Sequence, residues 1–154
     1  MEKEYSVLMS VYAKENPLFL RQSVESIFSQ TVKPAEFILV IDGPVGDVLT
    51  EEINSLKNRF NIKLAPIENN VGLAKALNFG LKFCSYEIIA RMDSDDIAFP
   101  NRIEAQLYLM ENSGADIISA SVLEFDGSID NITARKYLPQ THDEILKYAR
   151  KKLF

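Results

Sequence analysis

The chain has 154 residues, of which 47% are hydrophobic and 25% are charged, and its formal net charge is −5. This length suits one domain that buries a core without disulfides, and the balance of apolar and charged residues is typical of a globular protein in water. The negative charge argues against a general affinity for nucleic acid, because nucleic-acid phosphates require a basic face.

The sequence also argues against a membrane-spanning protein and against a secreted one. No stretch approaches the roughly 18 consecutive apolar residues of a membrane span, and the charged start, Met1–Glu4, lacks the pattern of a secretory signal, so we expect residence in the cytoplasm. The single cysteine, Cys84, excludes an internal disulfide, and its apolar surroundings favour core packing. The single histidine, His142, lies within Thr141–Glu144, whose capping-box spacing predicts a solvated first helical turn.

The first part of the chain is predicted to form a strand, a helix and a second strand. Residues 5–12 are β-branched and apolar, which favours a strand. Asn16-Pro17 is typical of a helix start, and apolar residues then recur at helical spacing as far as Phe28. The run Phe37–Ile41 is too short for a helix and stops at Asp42-Gly43-Pro44, which indicates a buried strand that ends in a turn.

The next elements are a helix, a strand and another helix. The helix is predicted to begin between Asp47 and Thr50, and Ile62–Ile67 is predicted to be a strand whose Pro66 favours an edge position. Residues 70–81 then show helical spacing, with three leucines stacked on one face. These leucines are Leu73, Leu77 and Leu81.

The remaining residues are predicted to form a strand, a helix, a hairpin and a last helix. The apolar run at residues 87–91 predicts a central, buried strand. Pro100 is expected to open a helix, and Ala115–Val122 is expected to form a further strand. Turn residues at positions 124–128 predict a hairpin with an antiparallel return through residues 132–137.

Alternating strands and helices predict an α/β fold, a mostly parallel sheet between layers of helices that is built from right-handed βαβ units. Ligands of such sheets gather beyond the carboxyl ends of the strands. Three predicted strand ends carry polar groups: Ser10 to Tyr12, Asp42, and the acids from Asp93 to Asp96. We expect these groups to meet in one cleft if their strands are neighbours.

Asp93, Asp95 and Asp96 place three carboxylates within four positions. They repel one another, and a divalent cation converts this repulsion into attraction. An Asp-x-Asp pair at a strand end leaves coordination positions open for a diphosphate and water, and the absence of nitrogen and sulfur ligands favours Mg²⁺ or Mn²⁺. The ion would absorb the charge that develops on a departing diphosphate.

Other interpretations of the acids fit less well or stay open. A calcium loop requires an oxygen ligand and a glycine at the positions of Ile97 and Ala98. Phosphatases with an aspartyl nucleophile also carry Asp-x-Asp after a strand, but usually after the first one, which here ends in Ser-Val-Tyr. A solvated surface turn remains an alternative, because aspartates favour turns.

Four motifs in order give a more specific indication. They are the strand at residues 6–12, Asp42, the segment Asn70-x-Gly72-Leu73-Ala74-Lys75-Ala76-Leu77-Asn78-x-Gly80, and Ala90–Asp96 followed by Pro100-Asn101-Arg102 and Gln106. Together they resemble the N-terminal half of a family 2 glycosyltransferase of the GT-A fold, over nearly all of the chain. The resemblance implies a Rossmann-like donor domain over residues 1–154.

The implied activity is inverting transfer from a nucleotide-activated sugar, most often a uridine diphosphate (UDP) sugar, to a saccharide or lipid-linked acceptor in polysaccharide biosynthesis. The resemblance assigns the nucleotide base to Ser10, Tyr12 and Asp42. Asp42 can accept a hydrogen bond from the uracil imide, and Tyr12 can lie against the ring. Asp93 would face the ribose and the metal, Asp95 would bind the metal, and Asp96 would share either task.

Four further residues complete the implied donor site: Lys75, Asn78, Arg91 and Arg102. Lys75 and Arg91 are candidates for the diphosphate and Arg102 is a weaker third; this chain has Leu77 where a common family version has arginine. Simpler interpretations stay open, since exposed cations usually only solvate a surface. Tyr12 would then be a core residue, Arg102 an ion-pair partner and Asn78 a packing amide.

The family supplies its general base as a carboxylate in a downstream acceptor-binding half. We therefore expect the base beyond Phe154, the acceptor-binding region to be absent, and little or no transfer by these residues alone. A non-catalytic nucleotide-binding or assembly module is the alternative. The resemblance also implies work at the inner face of the cell membrane, where Arg150-Lys151-Lys152 could contact anionic lipid or simply suit the helix dipole, and exposed apolar surface would favour homo-oligomers.

Overall fold

The computed structural model describes the backbone of residues 4–152 and divides into two compact units, one that ends at Leu107 and one that begins at Tyr108. The first unit contains a parallel sheet. Its strands are β1 (Tyr5–Val11), β2 (Glu36–Asp42), β3 (Ile62–Ile67) and β4 (Ile88–Arg91). Its helices are α1 (Pro17–Phe28), α2 (Asp47–Arg59) and α3 (Leu73–Gly80), and α4 (Arg102–Ser113) begins within it.

The four strands are all parallel and lie in the order β3-β2-β1-β4. Pro66 lies in β3, an edge strand, as its missing N–H requires. The prediction that β4 is central and buried was wrong. Among the described residues β4 pairs only with β1, and its side chains are half-buried or exposed. The apolar run indicates a strand, but it does not say how many neighbours that strand has.

Alternate residues of the strands face opposite sides, so the sheet has a helix layer on each. Helices α1 and α2 cover one side, where their apolar stripes meet the larger core cluster. Its buried members include Tyr5, Met9, Phe37, Leu39, Leu20, Ile27, Ile53 and Leu56. Helix α3 covers the other side, and the smaller cluster there is Leu8, Ile38, Val40, Ala65 and Ala76. Both layers confirm the predicted sandwich.

Helix α1 begins as the sequence predicts. The Asn16 side chain accepts a hydrogen bond from the Leu18 N–H at 2.9 Å, and Pro17 fills the first helical position. Cys84 is half-buried and packs against the smaller cluster, in agreement with its predicted role.

Helix α3 does not bury the face that the leucine pattern suggests. Leu73 is 52% exposed and Leu81 44% exposed, whereas Ala76 and Gly80 are buried. A Cβ built at Gly80 would lie 2.5 Å from side-chain atoms of both Leu8 and Val40. The helix therefore uses its smallest residues to approach the sheet closely.

The second unit contains a hairpin and a helix. Strands β5 (Val122–Phe125) and β6 (Ile132–Lys136) are antiparallel, and α5 (His142–Lys152) follows. The predicted strand over Ala115–Val122 was wrong, because residues 115–121 form no regular structure. The predicted antiparallel return is confirmed.

The capping box of α5 is also confirmed. The Glu144 carboxylate accepts hydrogen bonds from the N–H groups of Gln140 and Thr141, and the Thr141 hydroxyl accepts one from the Glu144 N–H at 3.3 Å. These bonds hold the pKa of Glu144 below its usual value. The side chains of His142, Lys151 and Lys152, and Phe154 as a whole, lie outside the described residues. Within residues 4–152 no helix has the length and apolar character to cross a membrane.

Candidate donor-binding site

The strand registers bring the predicted groups to one edge of the sheet. Val11 pairs with Ile41, and Leu8 pairs with Arg91. Extended past the strand ends, these registers set Asp42 level with Tyr12 and Asp93 level with Ser10. With β1 between them, the backbones of β2 and β4 are separated by two strand spacings, or roughly 10 Å.

Asp42 is buried, with 3% of its surface exposed. One carboxylate oxygen accepts a hydrogen bond from the Val71 N–H at 2.8 Å, and the other accepts one from the Gly72 N–H at 3.0 Å. The Asn70 side chain donates to the Asp42 carbonyl at 3.0 Å. Asp42 therefore orders the loop that starts α3, and any contact with a base would use the remaining lone pairs of its carboxylate.

The turn after Asp42 fits closely against the same loop. Gly43 has a φ of +84°, and a Cβ at this position would lie 2.6 Å from the Asn70 backbone nitrogen. Only glycine combines this conformation with such a close approach. Next to this turn, Ser10 is half-buried in β1 and Tyr12 is 45% exposed, so the Tyr12 ring is accessible and not a core residue.

The acids lie in the loop between β4 and α4, here called the acidic loop (residues 92–101). Asp93 is half-buried, and Asp95 and Asp96 are exposed. Partial desolvation and the charges of Asp93 and Asp95 raise the pKa of Asp96 above its usual value. Desolvation is the larger cause of this pKa shift, and the two neighbouring carboxylates add to it.

Two arginines offset part of this negative charge. Arg91 pairs with Asp93 at 2.5 Å, and both side chains are partly exposed. Arg102 is half-buried; it donates to the Arg91 carbonyl at 3.0 Å and to the Gln106 side chain at 3.2 Å. Burial lowers the pKa of Arg102, and the charges of Asp96 and Asp93 oppose that shift. Arg102 thus joins α4 to the end of β4 through hydrogen bonds.

Lys75 and Asn78 lie on α3, which starts next to Asp42. Both side chains are exposed, and neither makes a hydrogen bond or ion pair with the part of the chain that the structure describes. Both are therefore accessible to a ligand.

The acidic loop is held by polar contacts that the sequence did not reveal. Ser94 is 5% exposed, and its hydroxyl donates to the Glu15 carboxylate in the loop after β1. Ser23, Ser26 and Gln30, in and just after α1, bind backbone groups from Asp93 to Ile103. The available signal was polar residues at helical spacing beside the buried Leu20, Val24 and Ile27 stripe.

The acids fit a hard divalent cation by their chemistry, since oxygen ligands suit Mg²⁺ and Mn²⁺. Within residues 4–152 no group of three or more His, Cys, Asp or Glu side chains is arranged to hold a metal. Protein carboxylates could therefore supply one or two ligands, and a diphosphate and water would have to supply the rest.

Comparison of the chain with known proteins shows which family it belongs to. The model of glycosyl transferase family 2 matches residues 6–153. The chain belongs to this family. It is 41% identical over 149 residues to an amylovoran biosynthesis glycosyltransferase of Erwinia amylovora. It is 40% identical over 148 residues to an Escherichia coli UDP-Gal:α-D-GlcNAc-diphosphoundecaprenol β-1,3-galactosyltransferase.

These matches cover 96% of this family 2 chain but 55% and 54% of the two relatives, so the chain spans about half their length. The fold is that of solved glycosyltransferases. The Staphylococcus aureus TarS fragment 1–349, crystallised with UDP, matches with a TM-score of 0.64 and 21% identity over 89% of this chain and 38% of the fragment. The expected GT-A fold and family are thereby confirmed.

Proposed function

We propose that this chain is the donor-binding part of a glycosyltransferase, and that it binds a UDP-sugar together with Mn²⁺ or Mg²⁺. The observation that carries the proposal is the shared sheet edge, where Asp42, at the end of β2, lies two strand spacings from the acidic loop and Tyr12, just after β1, lies between them. That separation of roughly 10 Å suits one nucleoside diphosphate held at both ends.

In this proposal the end of β1 and Asp42 bind the base. Tyr12 presents an accessible ring for stacking, and Asp42 retains lone pairs for the uracil imide N–H. The N–H groups of Val71 and Gly72 fix the Asp42 carboxylate. This carboxylate is therefore held in place before the nucleotide binds. Such preorganisation lowers the entropic cost of binding.

The acidic loop serves the diphosphate end. Asp95 and Asp93 would hold the cation with Asp96 beside them, and the bound cation would neutralise charge on the departing diphosphate. Arg91 can turn from Asp93 to a phosphate oxygen, which leaves the Asp93 carboxylate for the cation. Lys75 and Asn78 are further candidates on α3, and Arg102 would act mainly through its bonds to the loop. We assign no general base within residues 4–152.

The substrates of the relatives suggest the wider role. One relative is named for a UDP-galactose donor and a diphosphoundecaprenol acceptor, and another for amylovoran biosynthesis. We accordingly propose inverting transfer to a saccharide or lipid-linked acceptor in polysaccharide biosynthesis, by a protein that works at the inner face of the cell membrane.

Calorimetric titration of UDP with Mn²⁺ or with EDTA tests this proposal. We expect Mn²⁺ to tighten UDP binding by about tenfold or more, equivalent to 1.4 kcal/mol. Asp95→Asn should abolish the gain. Asp116→Asn is the matched control, because Asp116 is exposed in the second unit. A chain that served only as an assembly module would bind UDP in neither buffer.

A further inference from the structure

Three polar side chains of the α1 segment point at the acidic loop instead of at solvent. Ser23 and Gln30 are 0% and 1% exposed, and Ser26 is half-buried. Polar side chains in such surroundings are retained where they have partners. Four of their six hydrogen bonds join backbone groups of the acidic loop and of α4, and the other two join carbonyls of α1 itself.

The contacts reach both ends of the loop. The Ser23 hydroxyl donates to the Asp93 carbonyl at 2.8 Å, and the Ser26 hydroxyl accepts from the Ala98 N–H at 3.0 Å. The Gln30 amide donates to the Phe99 carbonyl at 2.8 Å. These bonds replace the strand pairing that the chain loses after β4.

The Gln30 side chain makes two further hydrogen bonds, and its amide donates one of them to the Ser26 carbonyl in α1 at 3.1 Å. Its side-chain oxygen accepts a hydrogen bond from the Ile103 N–H at 3.1 Å, in the first turn of α4. A residue distant in sequence thus satisfies one of the free N–H groups at the start of that helix. The same turn carries Arg102, which binds the Arg91 carbonyl, so Gln30 fixes the end of the loop and the helix that braces it.

We propose that Gln30, with Ser23 and Ser26, is a positioning residue that sets the cation affinity of the acidic loop. This inference rests on the proposed function. Asp93 and Asp95 repel each other and lie on a loop without regular structure, so their spacing depends on the backbone anchors. Loss of the groups that orient metal ligands typically weakens metal binding about 10- to 100-fold.

The test compares UDP affinity in Mn²⁺ with UDP affinity in EDTA for the 154-residue chain. Gln30→Met keeps the side-chain volume and removes all three side-chain hydrogen bonds, and Ser23→Ala removes the bond to Asp93. We expect both variants to lose the Mn²⁺ enhancement by about tenfold while their affinity in EDTA stays within about twofold of wild type. A purely structural defect would lower the folded fraction, which thermal unfolding reports, without this split.

Thr31→Val is the matched control. The Thr31 hydroxyl donates to the Glu104 carboxylate at 2.9 Å on the exposed surface. The backbone N–H of Thr31 donates to the Pro100 carbonyl, and the substitution leaves this bond in place. It should retain the full enhancement. Folded Gln30→Met and Ser23→Ala chains with wild-type enhancement would overturn this inference alone. No enhancement in the wild-type chain would overturn the proposed function and the inference with it.

Discussion

The hydroxyl of Ser94 donates a hydrogen bond to the carboxylate of Glu15, which joins the loop after β4 to the loop after β1. Ser94 lies between the two acids of the Asp-x-Asp pair and is buried, so its side chain points into the protein while its neighbours remain accessible. The proposed base end and cation end of the site are therefore connected by one side-chain contact.

A double-mutant cycle measures this connection. Because the bond joins a buried hydroxyl to a charged acceptor, Ser94→Ala and Glu15→Ala should each lower the free energy of unfolding by about 1–2 kcal/mol. The double variant should lose less than the sum of the two, with a coupling of about 1 kcal/mol. Urea unfolding provides the values, and strict additivity would contradict a direct contact.

Asp42 is predicted to stabilise the fold as well as to bind the nucleotide base. Asp42→Asn replaces one of two acceptors with a donor that faces the Val71 or Gly72 N–H, so we expect a loss of about 1–3 kcal/mol in urea unfolding. Asp116→Asn, at an exposed position, should change stability by less than about 0.5 kcal/mol. Equal effects of the two substitutions would show that the Asp42 contacts contribute nothing.

Two glycines form a matched pair for the packing of α3. Gly80→Ala introduces a methyl group 2.5 Å from Leu8 and Val40 atoms and should destabilise by about 1–3 kcal/mol through overpacking. Gly46→Ala meets nothing within 4 Å and should be neutral or stabilising by up to about 1 kcal/mol. Thermal unfolding of both variants tests the close approach; a neutral Gly80→Ala would refute it.

Because of the buried Tyr5, we expect the folded chain to lose stability at high pH. Burial raises its pKa to about 12, although the charge of Arg102 opposes the shift, and its hydroxyl donates to the Val32 carbonyl at 2.8 Å. The unfolded chain releases this proton near pH 10, so the stabilising contribution is complete below pH 10 and is lost as pH rises towards 12.

The comparison with Tyr5→Phe isolates this contribution. At pH 8 the wild type should be more stable than the variant by about 1 kcal/mol, the usual value of a hydrogen bond, and the difference should vanish or reverse near pH 12. Urea unfolding at both pH values provides the measurement. A difference that does not depend on pH would mean that Tyr5 is not the titrating group.

The sequence predicts the alternating elements of the first unit well, because short apolar runs there end at clear turn residues such as Asp42-Gly43-Pro44. It fails at residues 115–121, where apolar residues suggest a strand but Ile117 is 85% exposed and no strand forms. Local propensity cannot supply the partner strand that a ladder needs.

In the candidate site, too, some residues could be predicted from the sequence and others could not. The acids and Asp42 are recognisable because their residue types and strand-end positions indicate their chemistry. Ser23, Ser26 and Gln30 are not, because serine and glutamine on a helix usually face solvent and their partners are backbone atoms some 70 residues away. Only the fold brings those atoms together.

The central claim is that one ligand spans the sheet edge, with its base near Asp42 and its diphosphate at the acidic loop. The most direct test is calorimetric titration of uridine and UDP, each with and without Mn²⁺. Mn²⁺ should tighten the binding of UDP about tenfold or more, or 1.4 kcal/mol, and leave the binding of uridine unchanged. Equal Mn²⁺ effects on both ligands, or none on either, would contradict the account.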